Sequence, residues 1–132
     1  MKNQTDALAL VGRALLAVIF LLSGFQKLTG FSGAATAIAG KGLPMPEVLA
    51  ALSIAIELGG GLLLIVGLKA RWAALLLFLF TIPITLTFHN FWAMGGAQAA
   101  MNEIHFLKNL AIMGGMLMVA AFGSGRYSVD KA

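Results

Sequence analysis

Cysteine is absent from the 132-residue chain. Without a thiol there is no disulfide, no thiol redox couple and no cysteine-held iron–sulfur cluster, so any electron the protein handles must reside on a bound molecule. Charge is nearly as scarce. Nine basic and five acidic side chains make 11% of the residues charged, where a soluble domain carries about 25%. That set is too small to clothe the apolar 60% of the chain in water, so apolar surface must face lipid. The basic residues stand in ones and twos at the ends of apolar runs. Nucleic acid, which needs a basic stripe or cluster, is thereby excluded as a partner.

Four apolar runs take up most of the length: Ala7 to Leu28, Val48 to Leu68, Trp72 to Trp92 and Ile104 to Phe122. Each is near or above the roughly 18 to 20 residues that cross a bilayer as a helix. The chain therefore reads as a single transmembrane domain over residues 1–132, an all-α, integral membrane, four-helix up-down bundle. A lone Lys2 before the first run resembles a secretory signal, but the run is long and contains Arg13, so it is read as a retained span. Lys69, Ala70 and Arg71 are the whole connection between the second and third spans, which must be adjacent and antiparallel. One face then carries Lys2, Lys69, Arg71, Arg126 and Lys131, and the opposite loops only Lys41. By the positive-inside rule both termini are expected in the cytoplasm. Trp72 and Tyr127 on that side, with Phe91 and Trp92 on the other, fit interfacial aromatic belts. Of the outer loops, Phe31 to Gly40 is expected to form a short helix lying on the membrane, and Ala93 to Glu103 a loop of small residues.

Ionisable groups at membrane depth cost several kcal/mol unless paired or hydrated. Five need explaining: Arg13, Lys27, Glu57, His89 and Lys108. Arg13, Ala17, Phe20, Gly24 and Lys27 follow 4, 3, 4, 3 spacing, which puts both cations on one inward stripe. Ser53, Glu57, Gly60 and Gly61 share a face of the second span, and Thr81, Thr85 and His89 a face of the third. Lys108, Asn109, Ile112 and Gly115 are expected to line the fourth. By depth, Lys27, His89, Asn90, Lys108 and Asn109 should cluster near the outer surface with Glu57 beneath them. Such a place suits a small ring bearing oxygens: Lys27, Lys108 and His89 donate to the oxygens, while Phe88, Phe91, Trp92 and Phe106 stack on the ring. A quinone headgroup meets that description, held non-covalently, with His89 as candidate proton carrier.

Structural readings stand beside these. Arg13 and Glu57 are a candidate ion pair that fixes helix packing. Lys27 and Lys108 reach the headgroups by snorkelling, and His89 is an interfacial residue. Pro83 is a packing kink, and the Gly59 to Gly61 run allows close helix contact. No metal site is expected: His89 and His105 make a bis-imidazole arrangement conceivable, but no ligand pattern accompanies them.

Several runs together resemble the DoxX family of small four-helix bacterial membrane proteins. They are Gly12 and Arg13, the stretch FLLSGFQKL from Phe20, Gly42 with Leu43 and Pro44, ELGGGLLL from Glu57, FHNFW from Phe88, FLKNLA from Phe106 and GSGRYS from Gly123. The resemblance covers nearly the whole chain. It implies the membrane component of an oxidoreductase, oxidative-stress or quinone-detoxification system, with a soluble oxidoreductase as partner, and it transfers no catalytic residue. Two other functions use the same features. One is a transporter or efflux component for phenols or organic acids, using the cationic pocket. The other is an anchor for a soluble enzyme through Lys69, Arg71 and Arg126. A four-helix bundle has little interior volume, so a homo-oligomer supplying part of the pocket is also expected.

Overall fold

A computed structural model describes residues 2–132, Lys2 by its backbone alone; the topological charge expected at Lys2 falls outside the described side chains. Five α-helices follow one another: α1 (Lys2–Thr29), α2 (Phe31–Gly40), α3 (Pro46–Val66), α4 (Ala70–Phe88) and α5 (Gly96–Phe122), with a 3₁₀ turn at Phe91–Ala93. All but α2 are long and apolar enough to cross a membrane. The fold is an all-helical bundle in which α1 packs on α3, α3 on α4 and α4 on α5.

Helix ends follow local chemistry. Pro46 opens α3 at a position where its missing N–H costs nothing, with Glu47 in the first turn to complement the helix dipole. Gly67 closes α3 in the left-handed conformation, φ 72°. α4 stops at Phe88, earlier than the expected Trp92, because Thr87, Phe88, His89 and Asn90 are all weak helix formers. α5 starts at Gly96 and turns most of the expected 93–103 loop into helix. Ala97, Gln98, Ala99, Ala100 and Met101 are strong helix formers, and small size had been mistaken for loop character. The segment Phe31–Gly40 is helical as expected, but it docks on the bundle. Ala35 and Ile38 are buried against Ala50 of α3, with Phe88 of α4 packed beside them.

Where the apolar chain has no water to escape, packing rests on small residues that let helices approach. A Cβ added to Gly61 would lie 2.8 Å from Leu21 Cδ2, one on Gly115 2.8 Å from Leu16 Cδ2, and one on Gly60 3.0 Å from Leu77. These leucine-into-glycine contacts surround a core of Ala17, Phe20, Leu64, Ala74, Leu77 and Met116. That core occupies the half of the bundle nearer the termini.

The chain after α5 seals the same end. Val129 N–H donates to Val66 O (3.0 Å) and Asp130 N–H to Gly67 O (2.9 Å), so the tail lies along the end of α3. The Asp130 carboxylate accepts from the N–H groups of Lys69 (2.8 Å) and Ala70 (2.9 Å), capping α4 from outside it. Asp6 of α1 accepts from Arg126 N–H (3.1 Å), and Ser124 and Ser128 join hydroxyls at 2.8 Å.

Candidate functional site

On α1, α3 and α4 the inward stripes are as the spacing predicts, whereas of the expected α5 stripe Lys108 is exposed and none is buried. Arg13, Ala17, Phe20 and Gly24 are buried on α1, Ser53, Glu57, Gly60 and Gly61 on α3, and Thr81 and Thr85 on α4. The partners are not. Glu57, 4% exposed, pairs with Lys27, whose Nζ lies 2.5 Å from Oε1. This replaces the expected Arg13–Glu57 pair. In the antiparallel α1–α3 contact, Gly24 lies against Glu57 and Leu58, whereas Arg13 meets Leu64 and Ile65, about two turns further along α3. Arg13 is bound by carbonyls instead. It donates to Leu64 O (2.8 Å), Ile65 O (2.7 Å) and Tyr127 O (2.6 Å), tying the exposed end of α3 to the tail.

Beyond the leucine–glycine core, three cavities bear on the expected site residues, and a fourth, about 290 Å³, lies between α2 and the start of α3 and is lined by none of them. The smallest, about 160 Å³, lies among α1, α3, α4 and α5. Its polar lining is Ser23, Lys27, Glu57, Thr81, His89 and Asn109. The second, about 420 Å³, lies beneath α2 and shares Ser23, Lys27, Ile84 and His89 with the first. The third, about 310 Å³, is walled almost wholly by apolar side chains of α2, α3 and α4, Leu52, Phe80 and Pro83 among them. It meets the second at Ile38, Ser53, Ile84 and Phe88. The two larger volumes fall in the range of small-molecule sites, about 300–1,000 Å³. Lys27 and His89 stand between the small polar chamber and the roomy one.

His89 is held from one side. Its Nδ1 lies 2.9 Å from Asn102 Oδ1, and Asn102 Nδ2 donates to Gln98 O at 2.9 Å. Asn109 Nδ2 donates to Thr85 Oγ1 at 3.0 Å, while the Thr85 and Thr81 hydroxyls donate to carbonyls one turn back, each at 2.7 Å. The Asn109 bond fixes the rotation of α5. Lys108, one residue and about 100° away, is consequently exposed and lines none of the three cavities, contrary to its expected place.

Trp92 is likewise outside, 59% exposed. It forms an edge-to-face cluster with Phe91 and Phe106, centroids 5.4–5.8 Å apart, so of the expected stacking rings only Phe88 reaches a cavity. Asn90 also lines none of them, and its buried Oδ1 lacks a hydrogen-bond partner among the described residues. His105 lies beside His89 with ring centroids 5.1 Å apart, and no cluster of three metal-binding side chains occurs among the described residues. Sequence reasoning missed Ser23 and Asn102. Ser23 precedes Gly24 on a stripe read only at its 4, 3 steps, and Asn102 fell within the supposed loop.

Cations at the terminus end are engaged too. Arg71 donates to Ala121 O (2.9 Å) and Ala120 O (3.4 Å), satisfying the end of α5. Arg71, one of the three residues expected to dock a soluble enzyme, is thus bonded to α5 and still exposed. The N–H groups of Ala70 and Lys69 hold the Asp130 carboxyl below the usual carboxylate range, with Arg13 and Lys69 adding attraction.

Four apolar spans around a partly polar interior define a multi-pass membrane protein of the helical-bundle class. Residues 8–90 match DoxX, and the chain belongs to that family. It is 36% identical to the inner membrane protein YqjF of Escherichia coli over 99% of this chain and 95% of that one. It is 33% identical to the E. coli inner membrane protein YphA over 94% and 89% respectively. A weaker likeness, 28% over 60% of this chain and 26% of the other, links it to the ER-derived vesicles protein ERV29 of Saccharomyces cerevisiae. No solved structure matches it. The chain is a multi-pass inner membrane protein.

Proposed function

We propose that the protein binds the headgroup of a quinone, or of a chemically similar aromatic redox compound, beneath α2, as the membrane component of an oxidoreductase or quinone-detoxification system. The observation that carries this reading is the placement of Lys27 and His89 on the shared wall of the 160 and 420 Å³ cavities. An ammonium and an imidazole there address ligand oxygens, and Phe88, Ile38 and Ile84 supply an apolar wall for the ring. The adjoining 310 Å³ apolar cavity, rimmed by the half-exposed Leu52, gives a hydrocarbon tail somewhere to lie.

On this reading the terminus end, bearing Lys69, Arg71, Arg126 and Lys131, faces the cytoplasm, and the ligand enters from the outer half of the bilayer. His89 exchanges a proton with the bound ring, and Glu57, paired with Lys27, marks the inner limit of the polar chamber. Purified protein in nanodiscs is expected to bind a short-tailed ubiquinone or menaquinone analogue saturably. Lys27→Ala should weaken that binding about tenfold or more. Absence of saturable binding, or unchanged affinity in Lys27→Ala, would reject the reading.

A further inference from the structure

Asn102 determines which hydrogen-bonding face His89 turns to its ligand. Its Nδ2 donates to Gln98 O one turn back on α5 (2.9 Å), which leaves Oδ1 as the atom 2.9 Å from His89 Nδ1. The reverse orientation would set two carbonyl oxygens against each other. A carbonyl oxygen accepts only, so in the neutral imidazole the proton resides on Nδ1 and Nε2 carries the lone pair. The ring lines the 160 and 420 Å³ cavities, and its remaining nitrogen is therefore an acceptor. Lys27 offers the opposite: after its bond to Glu57 the ammonium has further N–H groups to give. His105, the other titratable ring against His89, makes a tilted ring contact, centroids 5.1 Å apart and planes at 39°.

A ligand that satisfies both groups must accept from Lys27 and donate to His89. A phenolic hydroxyl does both, whereas a quinone carbonyl accepts from Lys27 and then sets its lone pairs against Nε2. Resting on the quinone reading above, we infer that the site selects the hydroxyaromatic form, a quinol or phenol, over the oxidised carbonyl form, and that Asn102 is the positioning residue that imposes this choice. An acceptor left facing another acceptor in a desolvated site costs enough to set the two forms apart by about tenfold.

The test uses full-length protein in nanodiscs at about pH 8, where a free imidazole is neutral. A short-tailed ubiquinol kept reduced under anaerobic conditions, the same compound oxidised, and the quinol's dimethyl ether are titrated in parallel. Expected is binding of the quinol about tenfold tighter than of either the quinone or the ether. Asn102→Asp, which keeps the geometry but stabilises imidazolium and so turns Nε2 into a donor, should collapse or invert that ratio. Lys27→Ala should weaken quinol and quinone alike and leave the ratio standing. Histidine ¹⁵N spectra of the ligand-free protein report the tautomer directly; protonated Nδ1 is expected, and protonated Nε2 overturns the inference. Equal affinities, or a ratio indifferent to Asn102→Asp, overturn it while leaving the quinone reading intact. Failure of all three compounds to bind overturns both.

Discussion

The two ends of the bundle treat buried polarity in opposite ways. At the terminus end Arg13, 1% exposed, gives its guanidinium to three carbonyls, Asp130 caps a helix to which it does not belong, and the leucine–glycine core fills the space below. At the α2 end an ion pair, an imidazole and hydroxyls border empty volume. Polar groups in hydrocarbon are tolerated when satisfied, and unsatisfied ones persist where something else engages them. One end is therefore a fastening and the other a receptacle, although both are built from the same kind of inward stripe.

The sharpest way to break this contrast is Arg13→Ala. It leaves the carbonyls of Leu64, Ile65 and Tyr127 without their donor and opens a void beside the tail. A loss of about 3–5 kcal/mol is expected, by analogy with removing one member of a buried charged network. Thermal melting of the solubilised protein measures it. A variant that melts like the parent would mean the terminus end fastens nothing. At the other end, Lys27→Ala alone strands the Glu57 carboxylate and should cost a comparable amount. The double replacement Lys27→Met with Glu57→Leu removes both charges at similar volume, and its melting should return to within about 1 kcal/mol of the parent while ligand affinity stays lost. Stability and binding thus separate at the α2 end and cannot separate at Arg13. Retained binding in the double variant would contradict the receptacle.

Which faces point inward was legible in the sequence, because a lipid-solvated helix records its buried face in small and polar residues. Arg13–Ala17–Phe20–Gly24–Lys27 and Ser53–Glu57–Gly60–Gly61 needed only counting. Who meets whom was not legible. The partner of Glu57 depends on how far α1 slides along α3, and the helical connector α2 gives no fixed stagger, so the pairing expected with Arg13 falls to Lys27 once the Gly24–Leu58 and Gly61–Leu21 contacts set the register. Lys108 and Asn109 illustrate a second limit: two long neighbouring side chains diverge by about 100° around a helix, and which one faces in rests on the Thr85 hydroxyl across the interface. The tail has no periodicity to read at all. Its role depends on Asp130 meeting bare N–H groups of a distant helix.

Strong acid should loosen the fastening by neutralising Asp130. Because the N–H groups of Ala70 and Lys69 depress the Asp130 carboxyl, its contribution is complete above the ordinary carboxylate range and fades as pH falls through the lowered value. Limited proteolysis of residues 123–132 with an acid-tolerant protease should therefore accelerate on strong acidification. In Asp130→Asn, which keeps one acceptor but no titrating charge, that acid step should vanish. Persistence of the step would assign it elsewhere, with Asp6 at the Arg126 N–H the next group to test.

The smallest expected effect is also the most discriminating about the α2 end. Net positive charge near the cavities would attract an electron-rich ring wherever the charge stood, so a diffuse field and a built site both predict that removing cations weakens binding. Lys108 and Lys27 separate the two. Both are carried by helices that border the cavities, but Lys108 is turned away by the Asn109–Thr85 bond, while Lys27 lines two cavities. Lys108→Ala should leave melting and quinol affinity unchanged, where Lys27→Ala lowers affinity about tenfold. Equal losses from the two substitutions would mean that long-range charge holds the ligand and that the geometry around His89 and Glu57 is incidental to it.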